Sequence, residues 1–177
     1  MIIFVLLLIV VVLLFVLSMI WPPDSPWAPW WRTSRRIARA MCRMANVGKD
    51  DVVYDLGSGD GSALLVATDE YGAKGIGIEI DPLRVFLSKL RKRFQSSSKS
   101  AIFVRRNFFD VDISDATVIF VYLVPKALLR LKFKFATELK PGTRIVSFRY
   151  QIPYLPLVKK DKLHRLYYYK VPKSFTT

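Results

Sequence analysis

Seven consecutive residues constrain this chain more than any other part of it: Asp55-Leu56-Gly57-Ser58-Gly59-Asp60-Gly61. They lie between the strand-like run Asp51-Val52-Val53-Tyr54-Asp55 and a helical pattern from Ser62 to about Tyr71. Three glycines in five residues permit a tight turn and close approach of a ligand to the backbone. The helix that follows opens with amides lacking an intrahelical partner. Strand, glycine turn and helix, in that order, fit the first unit of an α/β sheet with a ligand crevice at the strand end.

The alternation continues downstream. Gly75 to Ile80 reads as a second strand, and Asp81-Pro82 as the cap and first residue of a helix reaching about Phe94. The polar loop Gln95 to Ser100 follows. Ala101 to Arg105, Thr117 to Tyr122 and Thr143 to Phe148 read as three more strands, with a helix from Pro125 to about Leu139 between the last two. Leu166 to Val171 is expected as a final strand, antiparallel to a neighbour. Upstream, Thr33 or Ser34 caps a helix reaching about Val47 and ended by Gly48. Strands separated by helices predict a mostly parallel sheet covered on both faces.

Four groups of residues carry chemistry. The glycine turn lacks the G-x-G-x-x-G spacing of a nicotinamide dinucleotide site. Its two acids, Asp55 and Asp60, disfavour a pyrophosphate and suit a ligand with a cationic centre and an ammonium group. Glu79 ends the second strand about twenty residues later, where an acid in this architecture accepts hydrogen bonds from ribose hydroxyls. Its alternative is a solvated strand end. Ile80 is the next residue. Asn107-Phe108-Phe109-Asp110 follows the third strand, and its amide and aromatic groups suit adenine. The alternative for the same segment is a loop with buried phenylalanines. Tyr122-Leu123-Val124-Pro125 ends the fourth strand, where Tyr122 either meets an incoming nucleophile or packs as an aromatic. One cysteine, Cys42, and one histidine, His164, cannot form an intrachain disulfide or a Cys/His metal centre, so no metal is expected.

Together these residues resemble the class I methyltransferases over about residues 30–171. Val53 to Gly61, Gly75 to Pro82, Val121 to Pro125 and Glu138 to Ser147 are similar to the small protein-lysine methyltransferases of archaea and mitochondria. The resemblance implies a Rossmann-like, doubly wound, mostly parallel sheet and S-adenosylmethionine as cofactor. It assigns cofactor binding to Asp55, Gly57, Ser58, Gly59, Asp60, Gly61, Glu79, Ile80, Asn107 and Phe108. It implies protein lysines as substrate; Tyr122 and Asp110, at the ends of the fourth and third strands, are the candidates for orienting the amine. Two departures bear on substrate choice. Ser62 stands where these relatives usually carry arginine, and Pro29-Trp30-Trp31-Arg32-Thr33 replaces a shorter Pro-Thr entry segment.

The N-terminal segment is of another kind. Ile2 to Ile20 contains no charged residue, and no basic residue precedes it as in a signal peptide. At 1.5 Å per residue it suggests one transmembrane anchor over residues 1–20, followed by a Trp/Pro-rich interfacial linker over 21–31 and the enzyme domain over 32–177. Arg32, Arg35, Arg36, Arg39 and Arg43 lie beyond it, so the positive-inside rule predicts a single-pass protein with its domain facing the cytoplasm, in a bacterial inner membrane or an equivalent organelle membrane. All 28 lysines and arginines follow residue 31, giving a net charge of +14. Attraction to lipid headgroups is the simplest expectation for such a surface. Basic charge alone does not specify a nucleic-acid partner, and none is expected. Two other functions stay open at this point: methylation of a membrane lipid or quinone, and a cofactor-binding scaffold without turnover.

Overall fold

The computed structural model describes residues 1–20, 32–95 and 100–174. The interfacial linker with its four tryptophans and most of the serine-rich loop lie outside the described residues. Helix α1 is Ile2–Ile20, with Ile2 to Leu14 exposed. Crossing a hydrocarbon core of about 30 Å takes roughly 20 apolar residues in one helix. Among the described residues no helix is long and apolar enough to cross a membrane. This corrects the expected transmembrane anchor, and with it the single-pass topology, the bilayer contact through residues 2–20 and the cytoplasmic orientation that depended on it.

The α/β expectation holds. The remaining elements are α2 (Arg35–Ala45), β1 (Val52–Leu56), α3 (Ser62–Tyr71), β2 (Lys74–Glu79), α4 (Pro82–Gln95), β3 (Ala101–Arg105), β4 (Val118–Val121), α5 (Pro125–Glu138), β5 (Arg144–Phe148), β6 (Leu157–Asp161) and β7 (Leu166–Lys170). They form one sheet in the order β3-β2-β1-β4-β5-β7-β6. The pairs from β3 to β5 are parallel, and β7 runs antiparallel to β5 and β6.

Local signals explain most boundaries. The Ser34 side chain accepts from the Ile37 amide and starts α2. Asn46, not Gly48, ends it, in a left-handed conformation at φ 50°. Asp81 accepts from the Arg84 amide at 3.0 Å and opens α4 ahead of Pro82. Strand β6 was not expected. Its residues are exposed or half-buried and include Lys159 and Lys160, so no apolar alternation marks it. It exists because β7 supplies the ladder, and its lysines suit a sheet edge.

The central strands are buried on both faces, which is why they read as continuous apolar runs. In β4, Val118 and Phe120 join a cluster with Met41 and Cys42 of α2 and Leu64 of α3, while Ile119 and Val121 join Leu128, Leu131 and Phe135 of α5. Burial pushes the Cys42 thiol up to about 12, leaving it a core residue. At the N-terminal end of the sheet, Arg144 of β5 donates to the Ala45 and Asn46 carbonyls and pairs with Asp51. Asp51 also accepts from Thr117 Oγ1 and the Gly48 amide. This network ties α2 to three strands, leaving the opposite, C-terminal edge for the site.

Candidate cofactor and acceptor site

Strand order places β1 beside β4, with β2 and β3 on one side and β5 on the other. The chain therefore leaves β1 and β4 in opposite directions, and a crevice opens at their carboxyl ends. Leu56 and Val121 are register partners, so the glycine turn after β1 and Tyr122 after β4 begin side by side. Leu123 closes the gap between them: a Cβ on Gly57 would lie 3.2 Å from its Cδ2.

The turn is held by β2. The Gly57 and Ser58 amides donate to the Ile78 carbonyl at 2.9 and 3.0 Å. Gly59 donates to Glu79 Oε2 at 2.9 Å. Glu79 Oε1 accepts from the Ile80 and Asp81 amides. Glu79 is thus a buried carboxylate that organises the turn as well as a candidate ribose acceptor. Gly61 has φ 75°, and a Cβ there would come within 2.5 Å of the Phe103 ring, so both backbone angle and packing demand glycine. Ser58 Oγ is buried with no hydrogen-bond partner among the described residues.

The two acids of the turn have different environments. Asp60 is engaged on all sides. Its Oδ1 accepts from the Ser62 amide and hydroxyl, and its Oδ2 pairs with Arg91 at 2.8 Å and Arg32 at 3.0 Å. Arg91 also donates to Ser62 Oγ at 2.6 Å. Arg91 of α4 thus brings a guanidinium to the start of α3. Asp55 is different. Burial, then the like charges of Glu79 and Asp60, push its carboxyl up to about 7. Among the described residues no cation pairs with it. A buried acid in this state favours a ligand that brings positive charge.

The segment after β3 is anchored from α5. Lys134, itself buried, donates to the Val111 carbonyl at 2.6 Å and to Glu138 at 2.7 and 2.8 Å. Glu138 accepts from the Ile113 amide. Asn107 Oδ1 accepts from the Phe109 amide, which shapes an Asx turn. The Phe108 and Phe109 rings lie 4.6 Å apart, half-buried against the core. Asp110 is exposed on the same segment. Tyr122 is half-buried, and burial raises its hydroxyl above the ordinary phenol range despite nearby Arg149. At neutral pH it stays a phenol and acts as a hydrogen-bonding group, not a base.

Sequence reasoning missed Arg32, Arg91 and the Lys134–Glu138 pair. The i, i+4 spacing of Lys134 and Glu138 was a legible signal. Nothing local links Arg91 to Asp60, 31 positions earlier.

Comparison with known proteins agrees with this geometry. A family model described as the ANTKMT methyltransferase domain matches residues 55–159. A protein-lysine N-methyltransferase from the archaeon Saccharolobus islandicus is 38% identical over 131 residues, covering 73% of this chain and 80% of that protein. The mouse adenine nucleotide translocase lysine N-methyltransferase is 33% identical over 106 residues, 60% of this chain; the chain spans about half (46%) of that relative's length. The crystal structure of an RNA methyltransferase from Salinibacter ruber in complex with S-adenosyl-L-homocysteine superposes with a TM-score of 0.79 at 31% identity, covering 82% of this chain and 97% of that one. The residues present fit S-adenosylmethionine: uncompensated Asp55 suits its positive charge, and Glu79 retains acceptor capacity for ribose hydroxyls. The chain belongs to the ANTKMT methyltransferase-domain family and is an S-adenosylmethionine-dependent methyltransferase.

Proposed function

We propose that this enzyme methylates lysine side chains of proteins. The observation that carries the reading is the 38% identity to the archaeal protein-lysine N-methyltransferase across most of both chains. S-adenosylmethionine supplies an electrophilic methyl group on a sulfonium. Asp55 faces the cationic end of the cofactor, Glu79 accepts from the ribose, and the Ile80 backbone with Asn107 and Phe108 borders the adenine. Gly57, Ser58, Gly59 and Gly61 let the turn approach the ligand, and Asp60 holds the turn's shape through Arg32 and Arg91.

The acceptor nitrogen would take that methyl group in place of one proton, with the electron pair of the broken S–CH3 bond left on the departing thioether. A free lysine titrates near 10.4, so its amine must be neutral before attack. With Tyr122 held as a phenol, catalysis rests on orientation of the amine at the end of β4. Tyr122 accepts or donates one hydrogen bond to it, and exposed Asp110 steers the approaching ammonium. Residues 32–177 form the catalytic unit.

The net charge of +14 and the Salinibacter relative favour one rival, methylation of RNA. One incubation separates the two. Purified protein receives radiolabelled S-adenosylmethionine with protein, RNA and lipid fractions from its own source. Label recovered as methyl-lysine after protein hydrolysis is expected. Label confined to RNA or to the lipid extract overturns the lysine reading.

A further inference from the structure

Three adjacent strands end together at the crevice. Val121 is in register with Leu56 of β1 and with Ser147 of β5, so Gly57, Tyr122 and Phe148 each stand one residue further along. The Tyr122 and Phe148 rings are 4.5 Å apart and tilted by 53°. Arg149 lies over both, its Cζ 5.7 Å from the Tyr122 centroid and 5.8 Å from that of Phe148. These distances are within the range at which a cation is attracted to a ring face.

Arg149 is also held in an unfavourable backbone conformation. Its φ is 68°, a left-handed value that residues with a Cβ seldom adopt. Two contacts impose it. The Arg149 amide donates to the Arg165 carbonyl at 2.8 Å, across the β5–β7 ladder. Next to it, buried Ser147 donates its hydroxyl to the Tyr150 carbonyl at 2.6 Å and folds the chain back. A left-handed residue at the end of β5, with its guanidinium on an aromatic pair beside the cofactor turn, is the kind of over-determined geometry that collects at functional sites.

The geometry points to the Tyr122–Phe148 pair as the surface that receives the acceptor lysine, with Arg149 as a resident cation that the substrate ammonium displaces. Arg149 is then a specificity-determining residue: it makes the wall costly for weak or neutral acceptors and yields to a well-placed amine. Phe148 supplies half of the wall. This assignment rests on the lysine reading of the preceding subsection.

The test uses the full chain with saturating S-adenosylmethionine. The acceptors are an N-acetylated decapeptide with one central lysine and its twin with norleucine at that position. Steady-state kinetics are measured for wild type, Arg149→Gly, Arg149→Lys and Phe148→Leu. Glycine accepts the left-handed backbone and removes the cation. Arg149→Gly should lower the KM for the lysine peptide roughly three- to tenfold with kcat within about twofold, the weight of one cation–ring contact. Arg149→Lys should track wild type, and Phe148→Leu should raise KM. By calorimetry the norleucine peptide should bind wild type and Arg149→Lys weakly and Arg149→Gly more tightly, because the cation it cannot replace is gone; equal binding to wild type and Arg149→Gly overturns the role given to Arg149. An unchanged or higher KM in Arg149→Gly, with methyl-lysine still formed, overturns this assignment alone. If wild type transfers no methyl group to the lysine peptide, the lysine reading itself fails, and this assignment with it. If melting shows Arg149→Gly to be unfolded, Arg149→Asn gives the same readout, since asparagine tolerates this backbone region.

Discussion

Glu79 and Gly59 are joined by a hydrogen bond of 2.9 Å across 20 residues of sequence, from the turn amide to the carboxylate at the end of β2. The same carboxylate accepts from the Ile80 and Asp81 amides, so one side chain binds three backbone donors. Glu79→Ala should lower stability by about 2–4 kcal/mol, because hydrogen bonds to a charged group contribute about 1.5–3 kcal/mol and their amides are left unmet. It should also abolish measurable binding of S-adenosylmethionine. Glu79→Gln keeps one carbonyl acceptor and should recover about half of the stability but little of the binding. Chemical denaturation and calorimetry on both variants check this; wild-type binding in Glu79→Ala would be incompatible with the site.

Asp55 makes the protein pH-dependent in two opposite ways. Its carboxyl titrates near 7 in the fold, against 3.8 ordinarily. The folded state therefore holds this proton more tightly than the unfolded chain does. Its contribution to stability is full below about 4 and is lost as pH rises through 7. Cofactor binding has the reverse sign, since a cationic ligand favours ionised Asp55. Affinity for S-adenosylmethionine should rise from pH 5.5 to pH 8 and then level. Titration at pH 6 in two buffers of different ionisation enthalpy should detect proton release. Asp55→Asn should remove both effects. A pH-independent affinity in wild type would mean that Asp55 does not meet the ligand's charge.

Arg91 should matter as much as a residue of the turn itself. It bridges Asp60 and Ser62 at 2.8 and 2.6 Å, and Asp60 is almost fully buried. Arg91→Met should cost about 2–4 kcal/mol by leaving a buried carboxylate with fewer partners. It should also weaken cofactor binding by roughly tenfold, equivalent to about 1.4 kcal/mol. Ser62→Arg in that background should restore a part of both losses by returning a guanidinium to the start of α3. Thermal melts and calorimetry on the single and double variants read this directly.

Lys134 and Glu138 fasten the segment that follows β3. Lys134→Met keeps the volume of the side chain and removes its bonds to the Val111 carbonyl and to Glu138. Stability should fall by about 2–3 kcal/mol, as expected when one partner of a buried charged pair is removed. Hydrogen exchange should quicken between residues 107 and 113 while β1 and β4 stay protected. Unchanged exchange in that segment would show that α5 does not anchor it.

How much of this was legible in the sequence depended on the range of the interaction. The glycine turn, the N-caps Ser34 and Asp81, and the start of α5 at Pro125 are local, and each is written in adjacent residues. The doubled acids Asp55 and Asp60 were equally visible, but not their unequal states. One is neutralised by guanidinium groups from residues 32 and 91, and the other is left uncompensated between like charges. The apolar N-terminal run suggested a membrane span from hydropathy alone, and among the described residues no helix is long and apolar enough to cross a membrane.

The sequence by itself determined the α/β alternation, the place of the glycine turn and the acid at the end of the second strand. Period, caps and glycine conformations act over a few residues, and no tertiary contact is needed to state them. Only the tertiary structure decided what lies across the crevice. Strand order brought β4 beside β1, register set Tyr122 and Phe148 level with the turn, and the ladder to β7 held Arg149 over their rings. Those relationships join strands separated by dozens of residues, and they depend on which edges pair, which propensity along a single chain does not encode.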